Sequence, residues 1–290
     1  MKALGLLLSL LLCFPVLAAP LPVWQASDGL DDPHLGQVWD TRSERWLDAQ
    51  QLVEVLEGRP RVIVGERHDH PDHHQLQLWL LEQLQARRAQ GALVMEMLQP
   101  SQQPLVDALQ AQPLPADAEL SAQLQWQPGW DWSLYGPLVR WGLAQPQRLL
   151  AANLNRDQLM AFYRDPPALE YAADTRQTLE RIILDSHCGL IELAQVAPML
   201  AIQHGRDQRM AEVLASAPAP ALLIAGAYHA RRDLGAPLHW QQDWGDSPVV
   251  VLLSEVGSAL PVADQADYVW LAPLLPEQDH CEQMRRAAKN

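Results

Sequence analysis

Phenylalanine is almost missing from this 290-residue sequence: there are two, one of them Phe14 near the N-terminus, against eleven Trp. Trp, large and carrying an N–H donor, must then serve both core packing and stacking on ligands. Positive charge is also short, with 21 Lys and Arg against 35 Asp and Glu and a formal net charge of −14. Such a surface repels phosphate backbones, which argues against nucleic acid as a partner. Beyond the N-terminus no stretch approaches the ~20 apolar residues that a membrane helix needs. A solenoid-type repeat and a low-complexity tail are absent as well. Only three cysteines are present, Cys13, Cys188 and Cys281.

The one long apolar run opens the chain. "MKALGLLLSLLLCFPVLAAP" has a single Lys, an apolar stretch from Leu4 to Leu12 and a small-residue ending at Ala18-Ala19. That is the layout of a secretory signal peptide (1–19), too short for a stable anchor. A lipoprotein signal wants a small residue before its cysteine, and Leu12 precedes Cys13. Cleavage near Ala19 is therefore expected and a lipid anchor is not. The remainder, 20–290, is sized for one large domain or a domain with a subdomain. Cys188 and Cys281 survive processing. Whether they pair in an oxidising compartment is open, because sequence does not give their separation.

Six short apolar runs read as strands: 61–68, 91–98, 147–155, 220–229, 247–257 and 266–273. Helical spacing of Leu76, Trp79, Leu80 and Leu84 fills the gap after the first, with Pro71 suited to the opening turn and Gly91 to the stop. Further helices are expected around 102–110 and 156–164. Strands apolar on both faces and separated by helices indicate α/β architecture, a mostly parallel sheet flanked by helices. The stretch 165–215 contains no convincing strand, so parts of 100–145 and 165–215 are expected to form a smaller helical subdomain.

In an open parallel sheet, ligands bind outside the carboxyl ends of the strands. The first strand ends in "GERH" (65–68) and the fourth in "GAYH" (226–229), so Gly-x-x-His closes an apolar strand twice. If the chain is extended there, Glu66 and His68 face the same way. Glu96 ends the second strand between two Met and needs a partner when buried, with Arg206 or Arg67 as candidates. His68, His229, Glu66 and Glu96 would thus line one crevice. This set suits a divalent transition metal in a metal-dependent hydrolase. It equally suits metal-free acid–base catalysis by Glu66 and His68. His70, His73 and His74 either cap the following helix or are solvated. Trp126, Trp130, Trp132 and Trp141 read first as packing. The charge-rich "GRDQRMAEVL" reads as a solvated helix face, from which Arg206 and Asp207 could reach the site, and Cys188 is not expected to be a thiolate ligand.

In order, "VGERHDHPDHHQLQ", "MEM", "YGPLVRW", "AANLNR", "HGRDQRMA" and "GAYHARRDLGAP" resemble the ChaN-like haem-binding uptake family. That family shares a superfamily with the Tiki metalloproteases and the erythromycin-esterase-like enzymes. The resemblance spans about Arg61 to Pro237 and implies an exported protein, periplasmic or associated with the outer membrane. It also implies non-catalytic haem binding at a homodimer interface, with a haem receptor or transporter components as further partners. A tyrosine on the iron, assisted by a histidine of the other protomer, is implied too. Tyr228, inside the second Gly-x-x-His, and Tyr135 are the candidate ligands, with His68 and His229 beside them. Arg231 and Arg232 follow His229 and suit the propionates. The family's members are often lipoproteins, and this leader departs from that pattern.

Overall fold

The computed structural model describes residues 19–276 and 279–287. The expected leader, with Leu4–Leu12 and Cys13, lies outside them. Eight strands form one sheet: β1 (Val38–Asp40), β2 (Arg45–Leu47), β3 (Arg61–Glu66), β4 (Ala92–Met95), β5 (Arg148–Ala151), β6 (Ala221–Gly226), β7 (Val249–Glu255) and β8 (Tyr268–Ala272). Their order is β2-β1-β8-β7-β3-β6-β4-β5. From β8 to β5 all pairings are parallel, and β1 is antiparallel to both β2 and β8. The six expected strands form the parallel part, each shorter than its apolar run. The edge hairpin β1–β2 was not anticipated; three residues per strand carry too little alternation to register.

Ten α-helices are described: α1 (Ala49–Glu57), α2 (Pro71–Arg87), α3 (Gln103–Gln110), α4 (Asp117–Gln123), α5 (Trp132–Ala144), α6 (Arg156–Arg164), α7 (Ala173–Ser186), α8 (Leu193–Ser216), α9 (Ala227–Ala230) and α10 (His280–Ala287). Helix α2 begins at Pro71 as expected but ends at Arg87, before Gly91. A Cβ on Gly91 would stand 2.3 Å from the Pro218 carbonyl oxygen. That glycine therefore permits a backbone crossing rather than capping a helix.

The apolar faces of α1, α2, α3, α4 and α5 merge with one face of the sheet in the largest core, through Leu52, Leu80, Val106, Leu120 and Leu138. On the other face the C-terminal half of α8 packs Met210, Ala211 and Leu214 against Ile63 and Leu223. Helix α7 and the N-terminal half of α8 enclose a separate small core of Leu179, Ile183, Val196 and Leu200. The helices of 100–145 thus share the main core, and those of 165–200 have their own. Cys188, in the turn between α7 and α8, is disulfide-bonded to Cys281 of α10.

Candidate functional site

Strands β3 and β6 are parallel neighbours in the register Gly65↔Ala225 and Glu66↔Gly226. The two Gly-x-x-His segments therefore leave the sheet side by side, at its carboxyl edge. Their glycines do different jobs. A Cβ on Gly65 would lie 2.5 Å from Ala230 Cβ, so this glycine lets α9 close onto β3. A Cβ on Gly226 would lie 2.7 Å from His68 Cε1 and 2.8 Å from its Nε2, so the imidazole rests on bare backbone of β6.

Two acid–imidazole groups meet across that glycine. In the first, Glu66 is buried and its Oε1 accepts from His68 Nδ1 at 2.7 Å and from the Tyr135 hydroxyl at 2.9 Å. Its Oε2 is buried and has no partner among the described residues. Trp130 stands edge-on to His68, ring centroids 4.9 Å apart. In the second, buried Glu96 accepts the Gly226 N–H at 2.9 Å and lies 3.5 Å from His229 Nε2. His229 Nδ1 donates to Asp207 Oδ1 at 2.6 Å, and the Gln203 amide donates to Asp207 Oδ2 at 3.3 Å. Glu96 thus takes backbone and imidazole as partners instead of the expected arginine. Arg67 turns away to Glu255 and Asp69.

Burial alone would depress His68, but the Glu66 hydrogen bond and the charges of Glu66 and Glu96 prevail and lift it to about 9. His229 is raised likewise: Glu96 and Asp207 outweigh its burial. For Glu96, burial acts upward, yet His229, His68 and the Gly226 N–H bring it below the usual carboxylate range. At neutral pH the crevice therefore holds imidazolium and carboxylate side by side, each offsetting the other's desolvation. Burial, then the Glu66 charge, push Tyr135 far above the ordinary phenol range. It is 1% exposed and stays a neutral donor to Glu66. Tyr228, on α9, is 51% exposed. Arg231 is bound to Asp233 at 2.9 Å and Arg232 is paired with Asp267.

The remaining histidines of the opening motif are buried structural groups, and none is solvated. His70 caps α2, accepting the Asp72 N–H, and donates to the Pro273 carbonyl at 2.9 Å. His73 stacks on His70 with centroids 4.0 Å apart, and its Nδ1 accepts the Arg67 N–H. His74 bonds the His68 carbonyl at 3.0 Å. Together they pin the loop that presents His68. The sequence puts Asp207 within reach of the site without pairing it with His229, and it does not single out Gln203. Their i, i+4 spacing on a helix was the available signal, since it puts both on one face. The Tyr135–Glu66 contact spans 69 positions and left no local trace.

Stability should peak near pH 6.5. Burial, then the neighbouring His70, His74 and Arg67, hold His73 well below its ordinary value. Burial and His204 hold His239 down to about 4. Below ~6.5 the unfolded chain binds protons that these folded groups refuse, so stability falls with pH. His68 and His229 have the opposite sign: their contribution is complete below ~6.5 and is lost at higher pH, for His68 as pH rises through about 9. Urea midpoints at pH 5, 6.5 and 9 should be highest at 6.5; a midpoint at pH 9 equal to or above that at 6.5 would contradict the assignment.

Among the described residues, no group of three or more His, Cys, Asp or Glu is arranged to hold a metal ion. The expected metal set of His68, His229, Glu66 and Glu96 is gathered at one edge, but each imidazole is turned onto a carboxylate.

A mostly parallel α/β sheet with paired acid–imidazole groups at its carboxyl edge is the class that fold and site define. The chain belongs to the haem-binding uptake family of the Tiki superfamily, ChaN, whose model matches residues 52–239. The solved structure of ChaN of Campylobacter jejuni, described as cofacial heme binding, is 27% identical with a TM-score of 0.71. That match covers 80% of this chain and 95% of that one. Two others are more distant. The MARTX toxin effector domain RRSP of Vibrio vulnificus is 18% identical with a TM-score of 0.40, covering 63% of this chain and 30% of that one. A mutant of the erythromycin esterase EreC in its open conformation is 12% identical with a TM-score of 0.45, covering 88% and 86%. Neither bears on the site. No curated protein matches the sequence.

Proposed function

We propose that this protein is an exported haem-binding component of a haem- and iron-uptake system, carrying haem as cargo between two copies of the chain. The observation that carries the reading is Tyr228. Of the two tyrosines placed near the motifs, Tyr135 is sealed in the core as a donor to Glu66, while Tyr228 is half exposed on the helix that bears His229. Phenolate is an established axial ligand of haem iron, so the donor set fits the group. Leu238 is 44% exposed on the segment that follows, adding open apolar surface near the end of the motif. A flat apolar ligand shared by two copies would cover such surface. ChaN of Campylobacter jejuni binds heme cofacially, and the family match spans the motif-bearing part of this chain.

Export is supported by the leader pattern and by the Cys188–Cys281 disulfide, which persists in oxidising compartments. Among the described residues no helix is long and apolar enough to cross a membrane. A haem receptor or transporter component would then receive the cargo. Sedimentation of the protein with and without haemin tests the shared-ligand geometry. Haem-loaded protein should run at the mass of two chains; a loaded species of single-chain mass would remove the interface from the proposal.

A further inference from the structure

If Tyr228 holds the iron, the propionates need cations, and Arg231 and Arg232 are already engaged by Asp233 and Asp267. The carboxyl edge of the sheet offers another pair. Past the ends of β4 and β5 a cleft of about 560 Å³ is lined by Gln99, Ser101, Asn155, Arg156, Asp157, Met160 and Arg164. Gln99 and Ser101 follow β4, and Asn155 to Arg164 follow β5 and form α6. The rim is tied together where the Ser101 N–H donates to Asn155 Oδ1 at 3.0 Å. Among the described residues, neither Arg156 nor Arg164 has a carboxylate within ion-pair distance, Asp157 included. In a chain of net charge −14, two free guanidiniums framing one cleft stand out.

The sheet order sets the distance. Strand β5 lies two positions from β6, across β4. At ~4.8 Å per strand the ends of β5 and β6, which lead into α6 and α9, stand ~10 Å apart. A porphyrin bound through its iron at β6 reaches its own carboxylates over a span of that order. Met160, 38% exposed in the cleft, supplies apolar surface under the ring edge.

We propose that Arg156 and Arg164 receive the carboxylates of the cargo, so that the ring lies across β4 with its acidic edge towards α6. The preferred substrate class is accordingly an iron porphyrin with free carboxylates, recognised by guanidinium–carboxylate pairing. This inference rests on the haem reading above.

The test compares haemin with its dimethyl ester on the unaltered protein and on the Arg156→Gln/Arg164→Gln double variant, by Soret titration. Both arginines are exposed, so the variant should fold normally. The unaltered protein should bind the ester about fivefold to tenfold more weakly than haemin, the scale of two exposed ion pairs. The double variant should bind the two ligands equally, and added salt should weaken only haemin binding to the unaltered protein. Equal affinity of the unaltered protein for both ligands, or a preference that survives in the double variant, would overturn the placement. Binding of neither ligand by the unaltered protein would bring down the haem reading itself, and this inference with it.

Discussion

Tyr228→Phe is expected to fold as the unaltered protein does and to lose its haem. The side chain is half exposed, and removing its hydroxyl leaves no buried group unpaired, so the fold should cost within ±0.5 kcal/mol of nothing. Affinity for haemin should fall at least on the order of 100-fold, the upper end of what loss of even an outer-shell partner costs a metal site. The phenolate-to-iron charge-transfer absorption should vanish. Tyr135→Phe is the control with the opposite signature. It strips a donor from buried Glu66, whose Oε2 already has no partner among the described residues, and should cost about 1–3 kcal/mol of stability. Its haem spectrum should be unchanged. If Tyr135→Phe abolishes the charge-transfer band and Tyr228→Phe does not, the choice of ligand is wrong.

Asp207→Ala should be the most destabilising change at the crevice. His229 is buried and carries its charge because Asp207 binds Nδ1 at 2.6 Å and Glu96 lies near Nε2. Removing one partner of a buried ion pair costs about 3–5 kcal/mol, because the charge left behind is desolvated and uncompensated. For a chain of this size that is a fall in Tm on the order of 10 °C. Asp207→Asn keeps the shape and an acceptor oxygen, and should cost distinctly less. His229 should titrate lower in the alanine variant, since the carboxylate that raises it has gone. A thermal transition in Asp207→Ala indistinguishable from the original would mean that His229 is not held as a cation by this pair.

Much of this was legible in the chain itself. The parallel strands carry runs such as "RVIV" and "ALLIAG", apolar on both faces, and such runs survive tertiary context because burial on both sides leaves no alternative. The meeting of Glu66, His68, Glu96 and His229 followed from strand ends and a repeated motif, although only the register Glu66↔Gly226 made it a contact. What escaped was set by distance along the chain or by brevity. Strands β1 and β2 have three residues each, too few for a period. Asp207 meets His229 because α8 packs over the sheet, whereas "HGRDQRMA", with Arg206, Asp207 and Arg209 close together, reads as a solvated face. The histidine-rich loop misled in the other direction: His70, His73 and His74 look hydrophilic, yet each finds a backbone partner and disappears inside. Composition told the donor types, and topology decided which of them were spent on structure.

A haemin titration of the purified protein should give a shifted, saturable Soret band that reaches its plateau at a fixed ratio of haem to chain, with phenolate charge-transfer features on the red side. A spectrum that tracks free haemin at every addition, with no plateau, would contradict the haem reading.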